Sequence, residues 1–311
     1  ARSILILARL VEIDPGGSLV NRPINSLKEI FLPCFPNTCA TVEQRNSMLT
    51  YLAKKTPDVA WSLLIDLLPD RITSSSGTQR PQLRDAGENG RDRLTQKEYL
   101  DAVLKVIELV IELAGNEPSR WIEIMRDITA FPEKEMTNAV ACLRSTFEAL
   151  SEADRFPVWA ALRDRINDHR RFPDAPWTLS EEKLAPFDAL IKDFEPESPV
   201  SSIIWMFDSW DFPTEDDKSI ENVRTEAVKG LLDKSGVDVL VELGHTAKHP
   251  YHVVEAIEQS KLDFSLLTKV LEKSIGNPNA MQFSVGISGL LRSVGGAAKS
   301  ETWFESFNER L

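Results

Sequence analysis

The sequence predicts an all-α protein, an irregular helical-repeat solenoid of the HEAT, armadillo or tetratricopeptide (TPR) kind. A compact two-lobed helical bundle is the alternative. Three observations carry this. Apolar residues recur at helical spacing along most of the chain. Alternating Val, Ile and Thr runs joined by Asn-Gly or Asp-Gly turns are scarce. The connections are mostly short and marked by Pro36, Pro69, Pro173, Pro213 or Gly276, and short links favour antiparallel neighbouring helices.

The elements follow in order. Residues 1–13 already carry a helical apolar stripe, and Ile24, Leu27, Ile30 and Phe31 share one face of a helix over 23–32. A third helix over 41–54 opens at Thr41 with Gln44 three residues on, the spacing of a capping box. Thr56 and Pro57 read as an N-cap followed by proline at the first helical position, opening a helix that ends at Pro69. Thr95 and Glu98 repeat the capping-box spacing at the head of a long helix over 96–113, which stops at Gly115. Further helices are predicted over 117–128, 132–150, 152–170, 180–192, 198–207, 219–233, 237–248, 251–259, 264–274, 278–293 and 301–311. No strict repeat of fixed period emerges, and the tetratricopeptide signature is missing.

Two segments interrupt this rhythm. Residues 70–94 are rich in Ser, Gly and Arg and nearly free of apolar side chains, a length of loop that is functional or disordered in compact domains. Residues 208–217 form an acidic loop carrying Trp210 and Phe212. The expected organisation is therefore N-terminal helical repeats over 1–69, a flexible loop over 70–94, and one continuous array over 95–311. Both ends fall inside amphipathic stretches, and no initiator Met precedes the first. This pattern is expected of a segment of a longer helical array.

Composition narrows the functional classes. A formal net charge of -12 repels phosphate backbones, which argues against nucleic-acid binding over the whole surface and leaves only a local basic patch. No apolar run reaches the roughly 20 residues of a membrane-spanning helix. The stretch SILILA is followed at once by Arg9 and Glu12 and lacks a small-residue cleavage site. Cys34, Cys39 and Cys142 make no disulfide framework. Cys142 is expected to be a buried small hydrophobe, whereas Cys34 and Cys39 flank a loop and can approach one another. A reducing cytoplasm is the expected location.

Catalytic signatures are missing. The sequence holds no G-x-x-x-x-G-K-[ST] and no H-E-x-x-H. It holds no G-x-S-x-G; the nearest stretch, 286–289, has the wrong spacing. No cofactor is expected. One cluster stands out: His245, His249 and His252 lie within HTAKHPYH. Two histidines at i and i+4 can share a helix face and bind a metal, with Glu242 and Glu255 close in sequence. Against this, Pro250 should end the helix just after His249, and a histidine near a helix C-terminus is favourable through the dipole alone.

Arg71, Arg80, Arg84, Arg91 and Arg93 could meet phosphate or an acidic partner. Asp70, Asp85, Glu88 and Asp92 nearly neutralise them, as a solvated loop would. Arg165, Arg170 and Arg171 form a second basic stretch, at a helix end where cations belong. Most of the seven tryptophans follow helical stripes and belong to the core. Trp177 and Trp210 lie outside the strong helices and are candidate exposed anchors for a partner.

The phrases LARLVEIDPGG (7–17), NRPINSLKEIFLP (21–33), PDVAWSLLIDLLP (57–69) and LRDRINDHRRFPDAPWTL (162–179) resemble the helical C-terminal regions of large bacterial multidomain proteins. Among these are STAND-type NTPases linked to phage defence. The resemblance spans about half of the chain and rests on helix-packing phrases. It implies a repeat region that senses or docks a partner, with NTPase or nuclease chemistry elsewhere in the parent. The expected function is thus a non-catalytic protein-interaction or sensor segment, its partner a protein or another part of its own parent. The alternatives are a metal-binding or hydrolytic domain at the three histidines, and nucleic-acid sensing through the Arg-rich loop.

Overall fold

A computed structural model describes residues 2–17, 21–34, 36–38, 40–69, 94–214, 218–275 and 281–308. The fold is all-α: the described residues include helices α1 to α16 and the 3-10 turn Ile128–Ala130, and none is in a strand. The chain divides into two compact units, one of Ala1–Arg165 with Leu179–Leu190, the other of Ile166–Thr178 with Ile191–Leu311.

The first unit holds α1 (Arg2–Glu12), α2 (Pro23–Phe31), α3 (Val42–Lys55), α4 (Pro57–Asp66), α5 (Gln96–Ala114), α6 (Pro118–Ile124) and α7 (Glu133–Ala149). Most of α8 (Glu152–Arg171) and of α9 (Glu181–Asp193) also belongs to it. Local chemistry fixes the starts. At α3 the Thr41 hydroxyl accepts the Gln44 N–H while the Gln44 side chain accepts the Thr41 N–H, and Thr95 and Glu98 do the same at α5. Each pair satisfies two backbone donors that a helix N-terminus leaves orphaned. Pro57 takes the first position of α4, although the Thr56 hydroxyl donates back to the Leu52 carbonyl instead of capping. The buried faces join in a core that includes Leu27, Leu52, Leu63, Leu64, Ile107, Trp121, Leu143 and Phe147.

The second unit holds α10 (Pro199–Ile203), α11 (Trp205–Asp208), α12 (Ile220–Ser235), α13 (Val237–Thr246), α14 (Pro250–Gln259), α15 (Phe264–Ser274) and α16 (Met281–Asn308). Here α12 packs on α14 and α14 on α16, while α13 packs on α15. Contacts of α12 with α13 and of α15 with α16 join the two rows. Phe207, Val228, Leu240, Leu243, Val253, Ile257, Phe283 and Ile287 fill the space between them. Gly244 lets α13 come close to α16, because a Cβ built there would lie 2.5 Å from the Phe283 ring.

Three expected elements differ. The helix over 117–128 stops at Ile124, where its last turn tightens to i→i+3 bonds and runs into the 3-10 turn Ile128–Ala130. The helix over 198–207 is two short ones, α10 and α11. Residues 294–300, expected to be a connection, are helical within α16 apart from a break at Gly296, whose φ of 70° a side chain would oppose. There the Ser300 hydroxyl donates to the Leu291 and Gly296 carbonyls and ties the two halves together. Cys142 is not buried but half-exposed. Cys39 lies outside the described residues, as does the loop over 70–93 with Arg80, Arg84, Arg91 and Arg93.

Candidate functional site

The most exposed aromatic surface of the second unit is built on a clamped loop. The loop leaves α11 at Asp208, and Arg224 of α12 reaches into it: its guanidinium donates to the Met206 carbonyl at 2.7 Å and the Ser209 carbonyl at 2.6 Å. Arg224 is only 3% exposed. Phe212 turns inward against Trp205 and lies beneath the Arg224 guanidinium. The Asp208 carboxylate accepts the Lys248 N–H at 2.6 Å. Trp210 sits between these anchors and is 68% exposed.

His252 completes the clamp. Arg224 has only donors, so its contact with Nδ1 of His252 at 3.0 Å makes Nδ1 the acceptor and leaves the proton on Nε2. That Nε2 is buried without a hydrogen-bond partner. Burial first, then the positive charge of Arg224 and the neighbouring His249, hold the His252 pKa below its ordinary value. Burial also lowers that of Arg224, against the pull of the Glu255 and Glu221 carboxylates. The neutral imidazole and the guanidinium thus form one interlocked pair.

The three histidines do not line one helix face. Pro250 starts a helix instead of ending one: α13 finishes at Thr246, His249 is the residue before α14, and Pro250 is its first residue. His245 and His249 therefore share no helix face. His245 packs edge-on against Phe283, and burial lowers its pKa. His249 lies against Trp210, its ring centroid 5.8 Å from that of His252. Among the described residues no group of three His, Cys, Asp or Glu side chains is placed to hold a metal ion. The Nδ1 of His252 is in any case committed to Arg224.

Trp177 and Trp210, the two candidate anchors, are both exposed. Trp177, 44% exposed, packs edge-on against His169 and Phe172. Arg171 lies over the Phe172 ring and pairs with Asp211 at 2.9 Å, beside Trp210. On the far side Trp210 meets His252 edge-on, and Tyr251, 64% exposed, adjoins His252. Two groups result: Trp177 and Phe172 with Arg171, and Trp210, His249 and Tyr251 around the buried His252. Arg171 is engaged with Asp211, while in the first unit Arg165 donates to the Thr129 hydroxyl. Sequence reasoning missed Arg224, because its partners lie 15 to 28 residues away.

Compared with protein-family models, with curated proteins and with solved structures, the chain matches none. No described helix is long and apolar enough to cross a membrane.

Proposed function

We propose that this chain is a non-catalytic protein-interaction or sensor segment of a larger bacterial cytoplasmic protein, a helical-repeat array that engages a protein partner. The observation that carries the reading is Trp210, a mostly exposed indole held on a loop whose neighbours are pinned by Arg224, Phe212 and Asp208. Exposing a large aromatic ring costs hydration free energy, and clamping its loop removes the entropy that binding would otherwise lose. Interface hot spots are enriched in tryptophan, tyrosine and arginine, the types gathered around it. The lack of P-loop, H-E-x-x-H and G-x-S-x-G patterns supports a non-catalytic role, and the phage-defence resemblance supports a sensor.

The test is affinity capture from a lysate of the source cell with the wild-type chain and with Trp210→Ala and Trp177→Ala. A protein captured by the wild type and lost with both variants is the expected result. Capture that is identical for all three chains overturns the assignment of the surface.

A further inference from the structure

The Arg224–His252 pair that pins the Trp210 loop works only with a neutral imidazole. A guanidinium carries donors and no acceptor, so the 3.0 Å contact between Arg224 Nη1 and His252 Nδ1 needs a lone pair on that nitrogen. The one imidazole proton then sits on Nε2, which is buried and has no hydrogen-bond partner. A second proton can go only to Nδ1. There it removes the acceptor and sets two positive charges against each other at that same separation. The acid form has another partner at hand. Oε2 of Glu255, three residues on in α14, lies 3.9 Å from the same Nδ1. A small side-chain rotation there makes a charge-assisted bond to an imidazolium. The other charges acting on the ring are Arg224 and Glu221 of α12 and His249 at the head of α14. Asp208 of α11 is committed to the Lys248 N–H. On α13 and α16, which also pack on α14, His245 is turned to Phe283, and Arg292 and Lys299 to the Phe304 and Phe264 rings.

The consequence falls on the loop. Arg224 holds the Met206 and Ser209 carbonyls through Nε and Nη2 and covers Phe212. With His252 charged, Nη1 loses its acceptor and the guanidinium is repelled from the ring that seats it. Trp210 rides on this loop and packs edge-on against His252, with 4.7 Å between ring centroids. We infer, on the reading of Trp210 as the anchor for a partner, that this surface is acid-gated: protonation of His252 transfers Nδ1 from Arg224 to Glu255 and releases the loop over 209–212. The partner is then held at neutral pH and let go in acid. Burial and the Arg224 charge make the folded histidine resist the proton. The gate therefore opens below about pH 6.5, the ordinary histidine value.

The test is an NMR titration of the full chain labelled with nitrogen-15 at histidine and tryptophan. Long-range correlations report the tautomer of each histidine, and the indole N–H signals report the tryptophans. Trp210→Phe and His252→Gln assign the two signals concerned. At neutral pH His252 should be the Nε2–H tautomer. Its protonation and the shift of the Trp210 indole should share one midpoint, below about 6.5. The Trp303 indole, packed on the core of the same unit, should stay in place across that midpoint. In His252→Gln, whose amide oxygen accepts from Arg224 without titrating, the Trp210 signal should no longer follow pH. Glu255→Gln should move the shared midpoint to lower pH. If His252→Gln does not fold, the shift in Glu255→Gln assigns the histidine and the wild-type titration decides. Four results overturn the inference: an Nδ1–H tautomer, a Trp210 signal that ignores the His252 midpoint, a midpoint unmoved in Glu255→Gln, or Trp303 moving together with Trp210, which is unfolding of the unit. The titration needs no partner. Capture at neutral pH that is indifferent to Trp210→Ala therefore removes the docking reading and leaves the gate measurable, whereas a silent Trp210 signal removes the gate and leaves the docking surface standing.

Discussion

At the scale of single residues, His252 decides how the second unit responds to acid. Its ring is 4% exposed, its Nδ1 accepts from Arg224, and its pKa lies below the ordinary value. The charged groups around it are Arg224 and Glu221 from α12, and His249 and Glu255 at α14. A histidine with a depressed folded-state pKa binds its proton less readily in the native chain than in the unfolded one. Its contribution to stability is therefore complete above the unfolded value of about 6.5 and is lost as the pH falls below it. His245 shifts the same way through burial. The urea midpoint of the second unit should fall as the pH is lowered through this window. His252→Gln, which does not titrate, should flatten part of the decline, and an unchanged slope in that variant would show that the pair is not the sensor. None of this was readable from HTAKHPYH, where the i, i+4 spacing offered a metal site only as an alternative to a structural or solvated role and named no partner for His252. Proline both ends and begins helices, and only the turn at 247–249 settles which.

Between elements, the close approach of helices is set by glycine, and two substitutions should have opposite signs. Gly244 of α13 faces Phe283 of α16, and a Cβ there would lie 2.5 Å from the ring carbons. Gly244→Ala gains helix propensity but forces the ring aside, and overpacking of this kind costs about 1–3 kcal/mol. Gly230 of α12 has open space around it, so Gly230→Ala should stabilise by about 0.5–1 kcal/mol through propensity alone. Chemical denaturation of the two variants measures both. Stabilisation by Gly244→Ala would mean that α13 and α16 are not this close. Helix starts such as Thr41–Gln44 and Thr95–Glu98 were evident in the sequence because a cap is made by residues three apart. Helix contacts such as Gly244–Phe283 were not, because no local pattern encodes which distant ring a glycine will meet.

For the whole molecule, the relevant fact is that each unit encloses its own core. Phe147 is fully buried in the first and Phe283 in the second, among different sets of apolar neighbours. The periodic stripes made both cores predictable as buried faces, but they carry no information about which faces share one interior, since any apolar stripe can pack on any other. Two cores in one chain favour unfolding in more than one step. Phe147→Ala and Phe283→Ala each delete a buried ring and should cost about 3–5 kcal/mol, but each from one unit only. Hydrogen exchange across a urea series, resolved by peptide, separates the two. Peptides of the first unit should lose protection earlier in Phe147→Ala and keep their wild-type midpoint in Phe283→Ala, with the reverse for the second. If instead all peptides move together in both variants, the two cores act as a single cooperative unit, and the acid response at His252 should then lower the urea midpoint of first-unit peptides as well.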